Sequence, residues 1–279
     1  MKEISKDLTV HLTNSYKYAI EKIRNTTINH NIRNNLPSFG FDLSNRPSIG
    51  YDNQQEVAVM FLQFQLDCAF YHHFIEKDSN KAKEYFYKYA RLTEFLIKKY
   101  DKPVLTYGRD YFDYTMSSDN LKSIEAFGKS SFRKFLSKDY NYWVEEGTCA
   151  LIYALQCIIN DNIGECKKAV KIVEEKCLKE NPTLFLDVEF LSKMIEKDKR
   201  GIESVLLSLL KPDIHQQRNN TWRDSQLISH PALGYAKLAW YKGIEVEVDS
   251  PLVPKEWLPI KPLKAEAYVD YDFVKAYLG

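Results

Sequence analysis

The hydrophobic positions of this chain recur mostly at helical spacing. Leu8, Leu12, Tyr16, Ala19 and Ile23 fall three or four residues apart and predict an amphipathic helix over about 6–24. Asn25 to Asn53 breaks the pattern with repeated Asn and with Pro37, Gly40, Pro47 and Gly50. It reads as a long irregular connection, a flap over the helices. Asp52, Gln55 and Glu56 signal a helix start, and the run VAVMFLQFQLDCAFYHHFI after them is apolar on most of its circumference. That predicts a buried helix to about Glu76, with Gln63 and Asp67 as its polar stripe. From Asp78 or Ser79 to about Tyr100, residues Tyr85, Tyr89, Leu92, Leu96 and Tyr100 share one face, and the short turn between the two helices predicts an antiparallel hairpin.

Beyond Tyr100 the breakers Pro103 and Gly108 predict a loop over 101–118. Helices are then expected from Asp119 to about Leu136 and from Asp139 through the apolar run GTCALIYALQCII, whose small residues would let another backbone come close. Further helices follow from Asn162 (with Glu165 in the reciprocal capping position), from Asn181-Pro182, and from Asp198 to Leu210. The polar stretch 214–221 reads as a loop. The last fifteen residues read as a tail or short helix that packs down through Tyr268, Tyr271 and Phe273. No period near 34 residues recurs, so a regular repeat is not supported.

The most distinctive stretch is 229–258. Pro231 suits a first helical turn, Ser229 is the better side-chain cap, and Ala232, Leu233, Ala236, Leu238, Ala239 and Trp240 make a small, apolar helix. Gly243 stands where such a helix ends in a left-handed residue. Ile244, Val246 and Val248 then alternate with Glu245, Glu247 and Asp249, which predicts an extended segment with one buried face, stopped by Ser250, Pro251 and Pro254. This succession resembles the C-terminal end of the immunity protein 49 family, on Pro231, Ala232, Leu233, Leu238, Ala239, Gly243, Val246, Val248, Asp249, Ser250, Pro251 and Pro254. Leu252 and Val253 stand where many relatives have an aromatic residue. The resemblance implies a mostly helical protein that neutralises a cognate toxin of a bacterial polymorphic toxin system by binding it.

The expected fold is all-α: a multilayer array of antiparallel helical hairpins with a short extended C-terminal segment. One helical domain is expected over 1–279, made of an N-terminal helix and long loop (1–52), a helical array (53–228) and the family-like helix, extended segment and tail (229–279). Ten glycines and ten prolines in 279 residues are too few turn signals for a sandwich or barrel. Thirty-nine basic against 38 acidic residues leave no net field to draw the chain to nucleic acid or anionic lipid. The N-terminus lacks the apolar core of a signal peptide, and Cys68, Cys149, Cys157, Cys166 and Cys177 form no C-x-x-C pair. A cytoplasmic protein with reduced thiols is expected, with no membrane span and no cofactor.

Candidate chemistry is sparse. His72 and His73 are adjacent and diverge on a helix, which suits one core and one surface histidine better than a metal site with Asp67. Cys149 lies one turn from Glu145 and Glu146, whose charges would raise its pKa, so an inert core thiol is expected. No phosphate loop, nucleophile elbow or zinc spacing occurs, so no catalytic activity is expected. Two stretches stand out for partner contact. In the first, Tyr107, Arg109, Asp110, Tyr111, Asp113 and Tyr114 mix aromatics with charges, either as an interface or folded back to plug the array. In the second, Glu245, Glu247 and Asp249 would attract a basic toxin surface or discourage edge-to-edge aggregation. The alternatives to an immunity protein are a helical-repeat adaptor for a peptide and, behind it, a helical metal-dependent enzyme.

Overall fold

A computed structural model describes residues 4–28, 53–100, 104–131, 139–219 and 222–279. The chain is all-α: the helices are α1 (Lys6–Ile28), α2 (Asn53–Phe70), α3 (Ser79–Tyr100), α4 (Val104–Ser117), α5 (Leu121–Gly128), α6 (Tyr140–Glu145) and α7 (Ala150–Ile159). There follow α8 (Ile163–Ile172), α9 (Phe185–Glu196), α10 (Lys199–Leu209), α11 (Pro212–Arg218), α12 (Trp222–Leu227), α13 (His230–Tyr241) and α14 (Asp272–Leu278). Among the described residues there is no strand. The expected 25–53 connection lies outside the described residues, except that 25–28 continue α1 and Asn53 opens α2.

Helix α1 packs on α2, α2 on α3, α3 on α4 and α4 on α13, while α7 packs on α8, α9 on α10, and α10 on α13. Helix α13 therefore lies between two groups of helices. Every residue from Pro231 to Ala239 is buried. Small side chains make this possible, because the neighbouring backbones come close on several sides at once. Helix α2 is buried for the same apolar reason, and its polar stripe is a contact: Gln63 Nε2 donates to Asp67 Oδ1 at 3.2 Å. It ends in one wider π turn, Tyr71–Ile75, which carries both histidines.

Several boundaries differ from expectation, each for a local reason. The run after Asp139 is two helices, because Gly147 adopts a φ of +91° between α6 and α7. Asp139 itself caps α6 through the Tyr142 amide. Helix α5 ends at Gly128, and residues 132–138 of the expected longer helix lie outside the described residues. Glu165 pairs with Lys168 instead of reaching back to Asn162, although Asn162 does cap α8. The 214–221 loop is mostly helix α11, begun by Pro212, which needs no amide partner in a first turn.

Helix α13 begins and ends differently from each other. Its end follows the sequence: Gly243 has φ +76°, the Ile244 amide donates to Ala239 O at 2.8 Å, and the Gly243 amide donates to Trp240 O. Those two bonds satisfy carbonyls that a helix end leaves open. At the start, Ser229 occupies the cap but its hydroxyl has no hydrogen-bond partner. Asn219, from the end of α11, takes that role, accepting from the His230 amide through Oδ1 at 2.9 Å. The Ser229 amide donates instead to Leu252 O.

After Gly243 the chain leaves the helix, with Val246 and Val248 buried and Glu245, Glu247 and Asp249 exposed, and the Val246 amide turns back to donate to Ile244 O at 2.9 Å. It joins no sheet. Side chains serve its backbone: Trp240 Nε1 donates to Val246 O at 3.0 Å, and the Glu247 amide donates to Glu203 Oε1 at 2.8 Å. The tail then returns over α2 and α3. Arg91 grips Asp270 with Nε and Nη2, Tyr271 Oη accepts from Gln65, and Phe273 packs edge-on to Phe95.

Candidate functional site

The 101–118 loop expectation is overturned from Val104 onward, because Val104–Ser117 is helix α4. Gly108 is buried inside it, where a glycine weakens a helix only modestly while its neighbours pack. Gly108, Tyr111, Phe112 and Thr115 fall at helical spacing, a signal that the nearby breakers masked. Tyr111, Phe112 and Tyr114 are core residues. Tyr111 meets Phe127 edge-on at 5.1 Å, and Tyr114 stacks on Phe86 at 5.6 Å. The aromatics thus plug the array, one of the two arrangements the sequence allows. Asp113 is buried with them, whereas Asp110 is exposed and Arg109 partly so. The side chain of Tyr107 lies outside the described residues.

Two buried ionic centres tie α13 to the rest of the chain. In the first, Arg218 of α11 grips Asp187 of α9 through Nη1–Oδ2 at 2.6 Å and Nη2–Oδ1 at 2.7 Å. Arg109 Nη1 lies 3.2 Å from Asp187 Oδ1, and Tyr235 of α13 donates its hydroxyl to the same oxygen. Burial alone would push the Asp187 carboxyl up. Arg109, Arg218 and the donated hydrogen bonds outweigh burial and hold it below the usual carboxylate range. The Tyr235 hydroxyl is pushed up by burial and by the Asp187 charge beside it, and so remains a donor.

In the second centre, Asp119 stands in a left-handed turn at φ +55°, wholly buried. Its Oδ1 is 2.6 Å from Lys237 Nζ of α13, and its Oδ2 is 2.7 Å from Lys83 Nζ of α3. Lys237 also donates to Trp257 O, and the Lys261 amide donates to Asp119 Oδ2. Burial lowers the Lys237 pKa against the pull of Asp119. The expectation that Asp119 starts α5 is corrected here: Asn120 caps the helix, and Asp119 is the anion that two buried lysines share. One signal for this lay in the sequence, a lysine inside an otherwise small, apolar helix.

The remaining candidates resolve as packing. Both histidines are buried, contrary to the expected one-in, one-out arrangement, because the π turn carries them inward together. His72 Nδ1 is 2.6 Å from Glu76 and its ring stacks on Tyr85, while His73 Nδ1 accepts from Trp257 Nε1 at 2.9 Å. Among the described residues no three His, Cys, Asp or Glu side chains converge as metal ligands would. The Cys149 thiol is pushed up to about 11 by burial, not by the glutamates expected to raise it. A cleft of about 390 Å³ opens between α3, the start of α5 and the C-terminal segment, but its Arg91 is committed to Asp270 and Glu94.

The acidic edge is where exposed candidate residues gather. Glu247 and Asp249 project almost fully into solvent, while Lys199 lies 3.7 Å from Glu247 and Lys255 lies 3.0 Å from Asp249. Each carboxylate therefore has one exposed lysine beside it, and Lys199 is shared with Glu203 at 3.6 Å. Among the described residues, no helix is long and apolar enough to cross a membrane.

No curated protein and no solved structure matches this chain. Residues 156–257 match the model of a family described as Immunity protein 49. The span runs from within α7 through α13 and the acidic edge to Trp257. It includes every residue from Pro231 to Pro254 on which the resemblance rests, and so bears out the resemblance to the immunity protein 49 family.

Proposed function

We propose that this chain is an immunity protein that neutralises a cognate bacterial toxin by binding and occluding it, without catalysis of its own. The family match over 156–257 is the observation that carries this reading. The helical body supports it by presenting exposed charge: Glu245, Glu247 and Asp249 stand outward from a segment that Val246 and Val248 anchor. Asp110 and the partly exposed Arg109 offer a second contact stretch on α4. Solvent-exposed carboxylate–lysine pairs contribute little, so Glu247 and Asp249 exchange those partners for a basic surface at little cost, which favours a basic toxin face. An occluding interface needs no reaction, only about 1,600 Å² of matched surface in total. The protein acts in the cytoplasm of the cell it protects.

Co-expression with the toxin encoded beside this gene is the test. Cells that survive with this chain and die without it support the reading. Equal death in both rejects the pairing.

A further inference from the structure

The junction of α4, α9, α11 and α13 holds two carboxylates, and one of them is unsatisfied. Asp113 of α4 is 2% exposed, yet neither carboxyl oxygen has a hydrogen-bond partner. Arg109 Nε stands 3.8 Å from its Oδ2, within ion-pair range but beyond a hydrogen bond. On the other side the carboxyl presses on Gly234 of α13, where an added β-carbon would fall 1.9 Å from Oδ1 and 3.0 Å from the Phe112 ring. The charged and titratable groups around it are Arg109 and Asp110 on α4, His230 and Tyr235 on α13, Asp187 on α9 and Arg218 on α11. Helices α3 and α5 bring the rings of Phe86, Tyr89 and Phe127 against α4.

We propose that the contact between α4 and α13 is a proton-operated latch, closed while Asp113 is neutral and loosened when it ionises. A neutral carboxyl lies against the Gly234 backbone at modest cost. A carboxylate there lacks the directed donors that would replace its hydration. Burial pushes the Asp113 carboxyl up to about 7, with Asp110 adding to it, against the pull of Arg109, His230 and Arg218. The folded chain therefore holds a proton that the unfolded chain gives up near the ordinary aspartate value. The stability this proton supplies is complete below that value and is lost as pH rises through about 7. Helix α4 carries Arg109 and Asp110, and α13 leads through Gly243 into the acidic edge, so the latch joins the two proposed contact stretches. That last consequence rests on the proposed function; the latch itself does not.

The test follows the Asp113 carboxyl carbon by NMR in the full chain, with urea unfolding of the wild type, Asp113→Asn and His230→Gln from about pH 5 to about pH 8. The latch requires a carboxyl midpoint near neutrality. It also requires a wild-type urea midpoint that falls across this range, a smaller fall in Asp113→Asn, and a fall that persists in His230→Gln. A carboxyl midpoint near 4, the ordinary aspartate value, would overturn it. So would an undiminished fall in Asp113→Asn, or its disappearance in His230→Gln. The carbon titration needs no variant, so misfolding of Asp113→Asn leaves the latch falsifiable.

Discussion

Asp187 and Asp113 are both buried, and both lie beside Arg109. Asp187 collects directed donors from Arg109, Arg218 and Tyr235, and it stays ionised below the usual carboxylate range. Asp113 has the same guanidinium at 3.8 Å and no donor aimed at either oxygen, and it is pushed toward neutrality. Depth of burial does not separate the two. What separates them is whether the fold aims hydrogen bonds at the charged form, since a distant cation does not replace them in a low-dielectric site. Tyr235, beside Gly234, donates to Asp187 from the helix on which Asp113 presses, so α13 stabilises one anion and discourages the other.

The contrast is sharpest if Asp187 is removed. Asp187→Ala strands Arg218 and Arg109 without their shared carboxylate. Urea unfolding should show a loss of about 3–5 kcal/mol, the range for breaking a buried pair. Gly234→Ala places a β-carbon on the Asp113 carboxyl and should cost about 1–3 kcal/mol by overpacking, read as a lower urea midpoint. Tyr235→Phe removes one donor from Asp187 and should cost about 1–2 kcal/mol. Acid titration of Tyr235→Phe should also show unfolding at a higher pH than the wild type. Asp187, with its lowered folded pKa, contributes stability above the ordinary carboxylate value and loses it as pH falls through the folded one. The smallest stability effect belongs to the exposed edge. Reversing Glu245, Glu247 and Asp249 to lysine should leave the urea midpoint almost unchanged. On the proposed function it weakens toxin binding, and a calorimetric titration showing wild-type affinity would remove this edge from the interface.

Some of the candidate site was legible in one dimension and some was not. Alternation after Gly243 correctly placed Val246 and Val248 inward and three carboxylates outward, because a period of two needs no knowledge of the partner surface. The α4 stretch misled for the opposite reason. Its glycine and the proline before it carry loop signals, yet α4 is stabilised by aromatic packing against α3, α5 and α13, which no local rule contains. Asp119 shows the same limit. An aspartate before a helical run reads as a cap, and its true partners, Lys83 and Lys237, lie 36 and 118 residues away in the chain.

The order of hydrophobic and polar residues was enough to give an all-α chain, the glycine stop of α13, the outward acidic edge and the resemblance to the immunity protein 49 family. These depend on periodicity, on the backbone freedom of one glycine and on local succession, all of which act within a few residues. Tertiary structure alone decided which charges are buried, which of two neighbouring aspartates has its carboxyl pushed up and which held down, and that Asn219 rather than Ser229 caps the central helix. Those outcomes depend on donors and desolvating surfaces supplied by helices remote in sequence, and the free energy of a buried charge is set by what surrounds it in space.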